Sequence, residues 1–147
     1  MGVKVNIKKL SERAVVPTYG SEYSAGADLY ACIDGEIGIK PHTTVVVPTG
    51  IAIELPQGFA GLIYARSGLA TKKGLAPANK VGVVDSDYRG EVKVALHNHS
   101  EEVQIVSSGE RIAQLVITPY LTAQFVVCDT LSETVRGEGG FGSTGNK

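Results

Sequence analysis

Apolar residues recur at every second position in four separate runs: Val3, Val5, Ile7; Ile51, Ile53, Leu55; Val92, Val94, Leu96; and Phe125, Val127, the last ending at Asp129 or Thr130. Successive side chains of an extended strand point to opposite faces, so this spacing turns one face to an apolar interior and the other to water. Turn residues separate the runs, at Pro41, Pro48-Thr49-Gly50, Pro56-Gln57-Gly58, Ser107-Ser108-Gly109 and Thr118-Pro119, the intervals of an antiparallel sandwich or barrel. No stretch carries the apolar spacing of a helix of ten or more residues. The expectation is an all-β chain, and 147 residues with 43% hydrophobic and 20% charged suffice for one buried core.

One short helix is expected at Ser67-Gly68-Leu69-Ala70-Thr71-Lys72-Lys73-Gly74: Ser67 serves as N-cap, lysines occupy the end the dipole favours, and a glycine stops it. Arg66 precedes it. A guanidinium, a hydroxyl and unbonded N–H groups at one point make an anion site; an ordinary capped turn with a surface arginine fits the segment equally. After about Ser132 the composition turns polar and glycine-rich, with five glycines in the last eleven positions. Such a tail cannot fold on itself. Arg136, Phe141, Ser143 and Thr144 offer it a cation, an aromatic face and two hydroxyls, suited to covering a base and holding phosphates; a plain Gly-rich terminus is the other reading.

A net charge of -1 supplies no basic field for a nucleic-acid backbone, so phosphate binding is expected to be local and no nucleic-acid partner is expected. With neither an apolar leader nor a run of eighteen or so apolar residues, the expectation is a cytoplasmic protein without a membrane partner. Gly2 is not read as a myristoylation site, because Asn6 stands where Ser or Thr is wanted. Cys32 and Cys128 lack metal or disulfide spacing and are read as buried, reduced thiols. His97 and His99 share one strand face but have no further ligand beside them, which suits a solvated strand end. The run Gly137-x-Gly139-x-x-Gly142 satisfies a dinucleotide fingerprint without the strand and helix that motif needs, and is set aside.

The segment from Asn79 to Gly90, with an apolar run leading into Asp85-Ser86-Asp87-Tyr88-Arg89, reads as a hairpin whose backbone is open on one side to a flat ligand; taken alone it also reads as a solvated acidic turn. Five ordered segments together resemble the homotrimeric deoxyuridine triphosphate nucleotidohydrolases, the dUTPases. They are Ala25 to Tyr30, Ala65 to Leu69, Gly82 to Gly90, Gly109 to Leu115 and Arg136 to Gly145. One departure is Ala65, where the family commonly has proline; it removes no ligand contact.

The resemblance implies a jelly-roll-like distorted β-barrel over residues 1–132, a flexible arm over 133–147, and three subunits whose shared active sites are closed by that arm. The implied reaction is hydrolysis of dUTP to dUMP and pyrophosphate, which keeps uracil out of DNA and supplies dUMP for thymidylate synthesis. By the same resemblance Asp85 deprotonates the water that attacks the α-phosphorus, Tyr88 packs on the deoxyribose, Asn79 holds sugar or base, and the backbone around Gly82 and Val83 reads uracil. Arg66, Ser67, Gly68 and Gln114 match phosphate-binding positions. Arg136, Phe141, Gly142, Ser143 and Thr144 match the closing arm. Asp28 is associated through water with a Mg²⁺ ion held mainly by the triphosphate.

Elementary chemistry supports those roles. Phosphoryl transfer is helped chiefly by positioning and by cations that meet developing charge. A passive pocket rejects an added hydroxyl by only about 10²-fold, so refusing UTP requires a rigid group in the 2′ space, for which Tyr88 is suited. The nearest rival of the same fold is a dCTP deaminase; a rival of another class is an interaction protein that responds to nucleotide without turnover. Asp87, Arg89 and Arg111 are read as paired surface charges.

Overall fold

The computed structural model describes residues 2–140. Eleven strands and one helix follow in order: β1 Asn6–Lys9, β2 Thr18–Tyr19, β3 Ala27–Tyr30, β4 Glu36–Ile39, β5 Thr44–Glu54, β6 Phe59–Tyr64, α1 Ser67–Lys73, β7 Leu75–Pro77, β8 Gly82–Val84, β9 Glu91–Asn98, β10 Gln104–Ser107 and β11 Arg111–Pro119. They form three antiparallel sheets, in the orders β1-β5-β9-β7, β10-β4 and β2-β3-β11-β6-β8. The fold is all-β and jelly-roll-like. Leu29, Ile39, Val47, Ile51, Leu69, Val94, Leu96, Val106, Ile112 and Leu115 meet in one apolar core drawn from all three sheets and the helix.

The alternation in β9 is the expected one, with Val92, Val94 and Leu96 inward, and it continues one step further to Asn98. Asn98 is fully buried. Its amide donates to Ile39 O at 2.9 Å and Glu102 O at 2.7 Å, and its Oδ1 accepts from the Ser100 N–H at 2.9 Å and the Ser100 hydroxyl at 2.8 Å. A polar side chain at a core position is tolerated because each of its groups is satisfied. Asn98→Ala removes all four bonds and takes a donor from the buried Ile39 carbonyl, an expected loss of about 3 kcal/mol. Thermal unfolding should register it as a fall of roughly 10 °C.

Two expected strands differ. Val3 and Val5 precede β1, which begins at Asn6, is exposed throughout and lies at the edge of its sheet with only β5 beside it. Phe125 and Val127 form no strand, and no helix or strand follows Pro119 among the described residues. Leu121 (99% exposed), Phe125 (93%), Val127 (99%) and Leu131 (87%) meet no apolar cover among the described residues. Cys128 lies in the same stretch and is exposed, not buried; Cys32 is half-buried, and neither is in a disulfide.

The helix begins one residue earlier in function than expected. Arg66, not Ser67, is the N-cap, since its carbonyl accepts the first helical bond from Ala70 N at 2.9 Å, and no side chain caps the end. Gly74 closes it in the left-handed region at φ 66°. No helix of the described residues is long and apolar enough to cross a membrane.

Candidate active site

A row of paired residues crosses the five-stranded sheet: Thr18 on β2 opposite Asp28 on β3, Asp28 opposite Gln114 on β11, and Gln114 opposite Tyr64 on β6. Paired positions present their side chains on one face. Opposite Tyr30, an unbroken ladder would place Ile112, but an extra residue in β11 places Arg111 there instead. The bulge therefore turns Arg111 to the Asp28 face while Ile112 enters the core, fully buried.

Asp28 is consequently held between two guanidinium groups. Arg66 Nε donates to its Oδ1 at 2.7 Å and an Arg111 terminal nitrogen to its Oδ2 at 3.2 Å. The Arg66 fork also reaches Arg111 O at 3.4 Å. These residues line a cleft of about 430 Å³ with Gly26, Ser67, Gly68 and Gln114. Two cations against one carboxylate leave a positive balance, and Asp28 fixes both forks in place before any ligand arrives. Gln114 donates to Ala65 O at 2.9 Å, a carbonyl that proline would supply equally. A Cβ at Gly26 would overlap the Gln114 amide oxygen, so the glycine makes room for that side chain.

A second cleft, about 320 Å³, lies around β8 and is lined by Asn79, Gly82, Val83, Asp85, Tyr88 and Lys93 among others. The expected hairpin is not one: β7 pairs with β9 and β8 with β6, so the connection crosses from one sheet to another. The exposed backbone survives in a different form. Since β8 is the edge strand of its sheet, its side away from β6 has no strand partner, and its peptide groups are open to a ligand. Asp85 follows directly and is exposed. Its carbonyl accepts the Tyr88 N–H at 3.2 Å, and Arg89 folds back onto Ser86 O at 2.7 Å and Tyr88 O at 3.1 Å while pairing with Glu54 at 3.2 Å. Hydrogen bonding from Asn6, with the Arg89 charge, holds the Glu54 carboxyl below the usual range. Arg89 thus stiffens the turn that carries Asp85 and Tyr88.

Asp28, Arg66, Ser67, Gly68 and Gln114 are gathered in the first cleft, and Asn79, Gly82, Val83, Asp85 and Tyr88 in the second. No described residue lines both. Arg136 lines neither and bonds Gly139 O at 2.7 Å, while Phe141, Gly142, Ser143 and Thr144 lie outside the described residues. Arg111, expected as a paired surface charge, is exposed and paired with Asp28, and the bulge, for which the adjacent buried pair Ile112 and Ala113 is the visible sign, sets that pair in the cleft. His97 and His99 stack edge to face at 4.5 Å, and burial, with nearby His97, Lys80 and His42, pushes the His99 imidazole down. No group of three or more His, Cys, Asp or Glu among the described residues is placed to hold a metal.

A jelly-roll-like chain with a cationic cleft on one sheet face and an open edge strand beside an acidic turn is a β protein equipped to take a phosphorylated, flat ligand. The dUTPase family model matches residues 12–145. The chain is 47% identical over 143 residues to a deoxyuridine 5'-triphosphate nucleotidohydrolase of Syntrophotalea carbinolica, covering 97% of each. It is 50% identical over 145 residues to that of a Hydrogenobaculum species, covering 99% of this chain and 100% of the relative. A mutant dUTPase of Staphylococcus bacteriophage 80alpha, solved with dUpNHpp, superposes with a TM-score of 0.88 at 27% identity, covering 97% of this chain and 98% of that one. The chain belongs to the dUTPase family.

Proposed function

We propose that this protein hydrolyses dUTP to dUMP and pyrophosphate. The observation that carries the reading is identity of 47–50% along nearly the whole chain with proteins named for that activity. In the reaction a water oxygen bonds to the α-phosphorus, the bond from that phosphorus to the bridging oxygen breaks, and pyrophosphate leaves. Asp85 takes the proton of the attacking water. The free edge of β8 at Gly82 and Val83 reads uracil through its peptide groups, Asn79 supports base or sugar, and Tyr88 packs on the deoxyribose. Arg66, Ser67, Gly68 and Gln114 bind the phosphates, with Arg111 beside them, and Asp28 keeps the two arginines oriented.

The donor set fits a magnesium ion carried by the triphosphate, not a cage of side chains, and Asp28 would reach that ion through water. When bound, the ion supplies positive charge that offsets charge developing on the phosphates.

The functional unit is a homotrimer. Two half-sites that share no lining residue among the described residues, and a stretch of bare apolar residues after Pro119, support an assembly in which neighbours complete each site. Within it, residues 1–132 form the catalytic barrel and residues 133–147 the closing arm, with Arg136 and the Phe141 to Thr144 segment covering the nucleotide of a neighbouring subunit. The protein acts in the cytoplasm.

The test is a product assay with dUTP, dCTP, dTTP and UTP side by side in the presence of Mg²⁺. Pyrophosphate and dUMP are expected from dUTP alone at high rate. Ammonia from dCTP would make the protein a deaminase, and tight binding without turnover a nucleotide-responsive interaction protein.

A further inference from the structure

Tyr88 is strapped at both ends. Its N–H donates to Asp85 O at 3.2 Å and its hydroxyl to Glu91 O at 2.9 Å, which lays the ring across Gly90. A Cβ at Gly90 would sit 2.5 Å from the ring Cζ and 2.9 Å from Cε2, and would overlap the hydroxyl. Carbon atoms in contact stand about 3.5–4.0 Å apart. Gly90 is not in the left-handed region, so the ring reserves this position for glycine and the backbone does not. One side of the ring is backed by main chain, yet Tyr88 remains 45% exposed and lines the cleft with Asn79 and Gly82.

We propose that Gly90 is a specificity-determining residue that acts through Tyr88: its missing side chain seats the ring where a ribose 2′-hydroxyl would need to be. The inference rests on the dUTP reading above. A wall rejects an added hydroxyl only as firmly as it resists being pushed aside, and a yielding pocket manages about 10²-fold at best. Here the ring has main chain behind it and a hydrogen bond at its tip. With alanine at position 90 the ring must leave its seat. Because the atoms displaced are the far end of a flexible side chain, the fold survives and the 2′ space opens.

The experiment measures kcat and KM for dUTP and UTP with the wild type, Gly90→Ala, Tyr88→Ala and the double variant, with thermal melts to report folding. Gly90→Ala is expected to lower the dUTP-to-UTP ratio of kcat/KM by about 10-fold or more, chiefly through a lower KM for UTP, and to add little in the Tyr88→Ala background, since both changes remove one contact. An unchanged ratio, or an effect that adds in full to Tyr88→Ala, overturns the proposal. Should Gly90→Ala not fold, Tyr88→Phe carries the test: it keeps the ring but cuts the strap to Glu91, and the ratio must fall several-fold or the proposal fails. A wild type that leaves dUTP intact refutes the proposed activity instead, before Gly90 is in question.

Discussion

Asp85→Asn is expected to lower the turnover of dUTP by roughly 10²–10⁴-fold while leaving nucleotide affinity nearly intact, because a positioned general base contributes on that order. The substitution is close to isosteric, and the turn does not depend on the carboxylate. Its geometry is set by Asp85 O accepting from Tyr88 N and by Arg89 on two carbonyls. The side chain itself is exposed at the mouth of the β8 cleft. What asparagine loses is the capacity to accept a proton. Single-turnover release of pyrophosphate and equilibrium binding of dUpNHpp separate the two effects: kcat should fall with the dissociation constant changed by no more than a few-fold. A weakened dissociation constant with kcat preserved would move Asp85 into the binding set, and an unchanged rate would remove it from the mechanism.

The periodicity of residues 92–96 was legible because β9 is buried on one face along its length; Asn98 was not, because a polar residue at the next inward position reads as the end of a strand. Ser100 and Glu102 follow it in the chain, but only the fold brings Ile39 to it. The same limit acts in reverse at Phe125 and Val127. Alternation records that a face is to be covered and says nothing of which chain covers it, so the period was visible where the single chain has no strand. Motif residues were legible as a set but not as two half-sites. Their separation follows from β6, whose neighbours Ile63 and Tyr64 point to opposite faces and line different clefts. Arg111 was legible as a paired surface charge but not as part of the cleft, for a third reason: one extra residue in β11 sets its side of the sheet, and alternation cannot locate a bulge.

Removing residues 134–147 and removing residues 121–147 should have different outcomes. Both truncations delete Arg136 and the Phe141 to Thr144 segment. Base stacking is worth about 1–3 kcal/mol and a charge-assisted hydrogen bond about 1.5–3 kcal/mol, so dUTP turnover should fall by at least about 10²-fold in either. Val135 goes in both, and only the longer deletion also takes Leu121, Phe125, Val126, Val127 and Leu131, a run of apolar side chains that lie bare among the described residues. If those residues are covered by sister subunits, the shorter truncation remains a folded trimer and the longer one does not. Light scattering on both, beside the pyrophosphate assay, reads the two effects independently. A trimer lost already on removing 134–147 would make the arm a structural element, and a trimer retained without residues 121–147 would show that the exposed apolar stretch is not what joins the subunits.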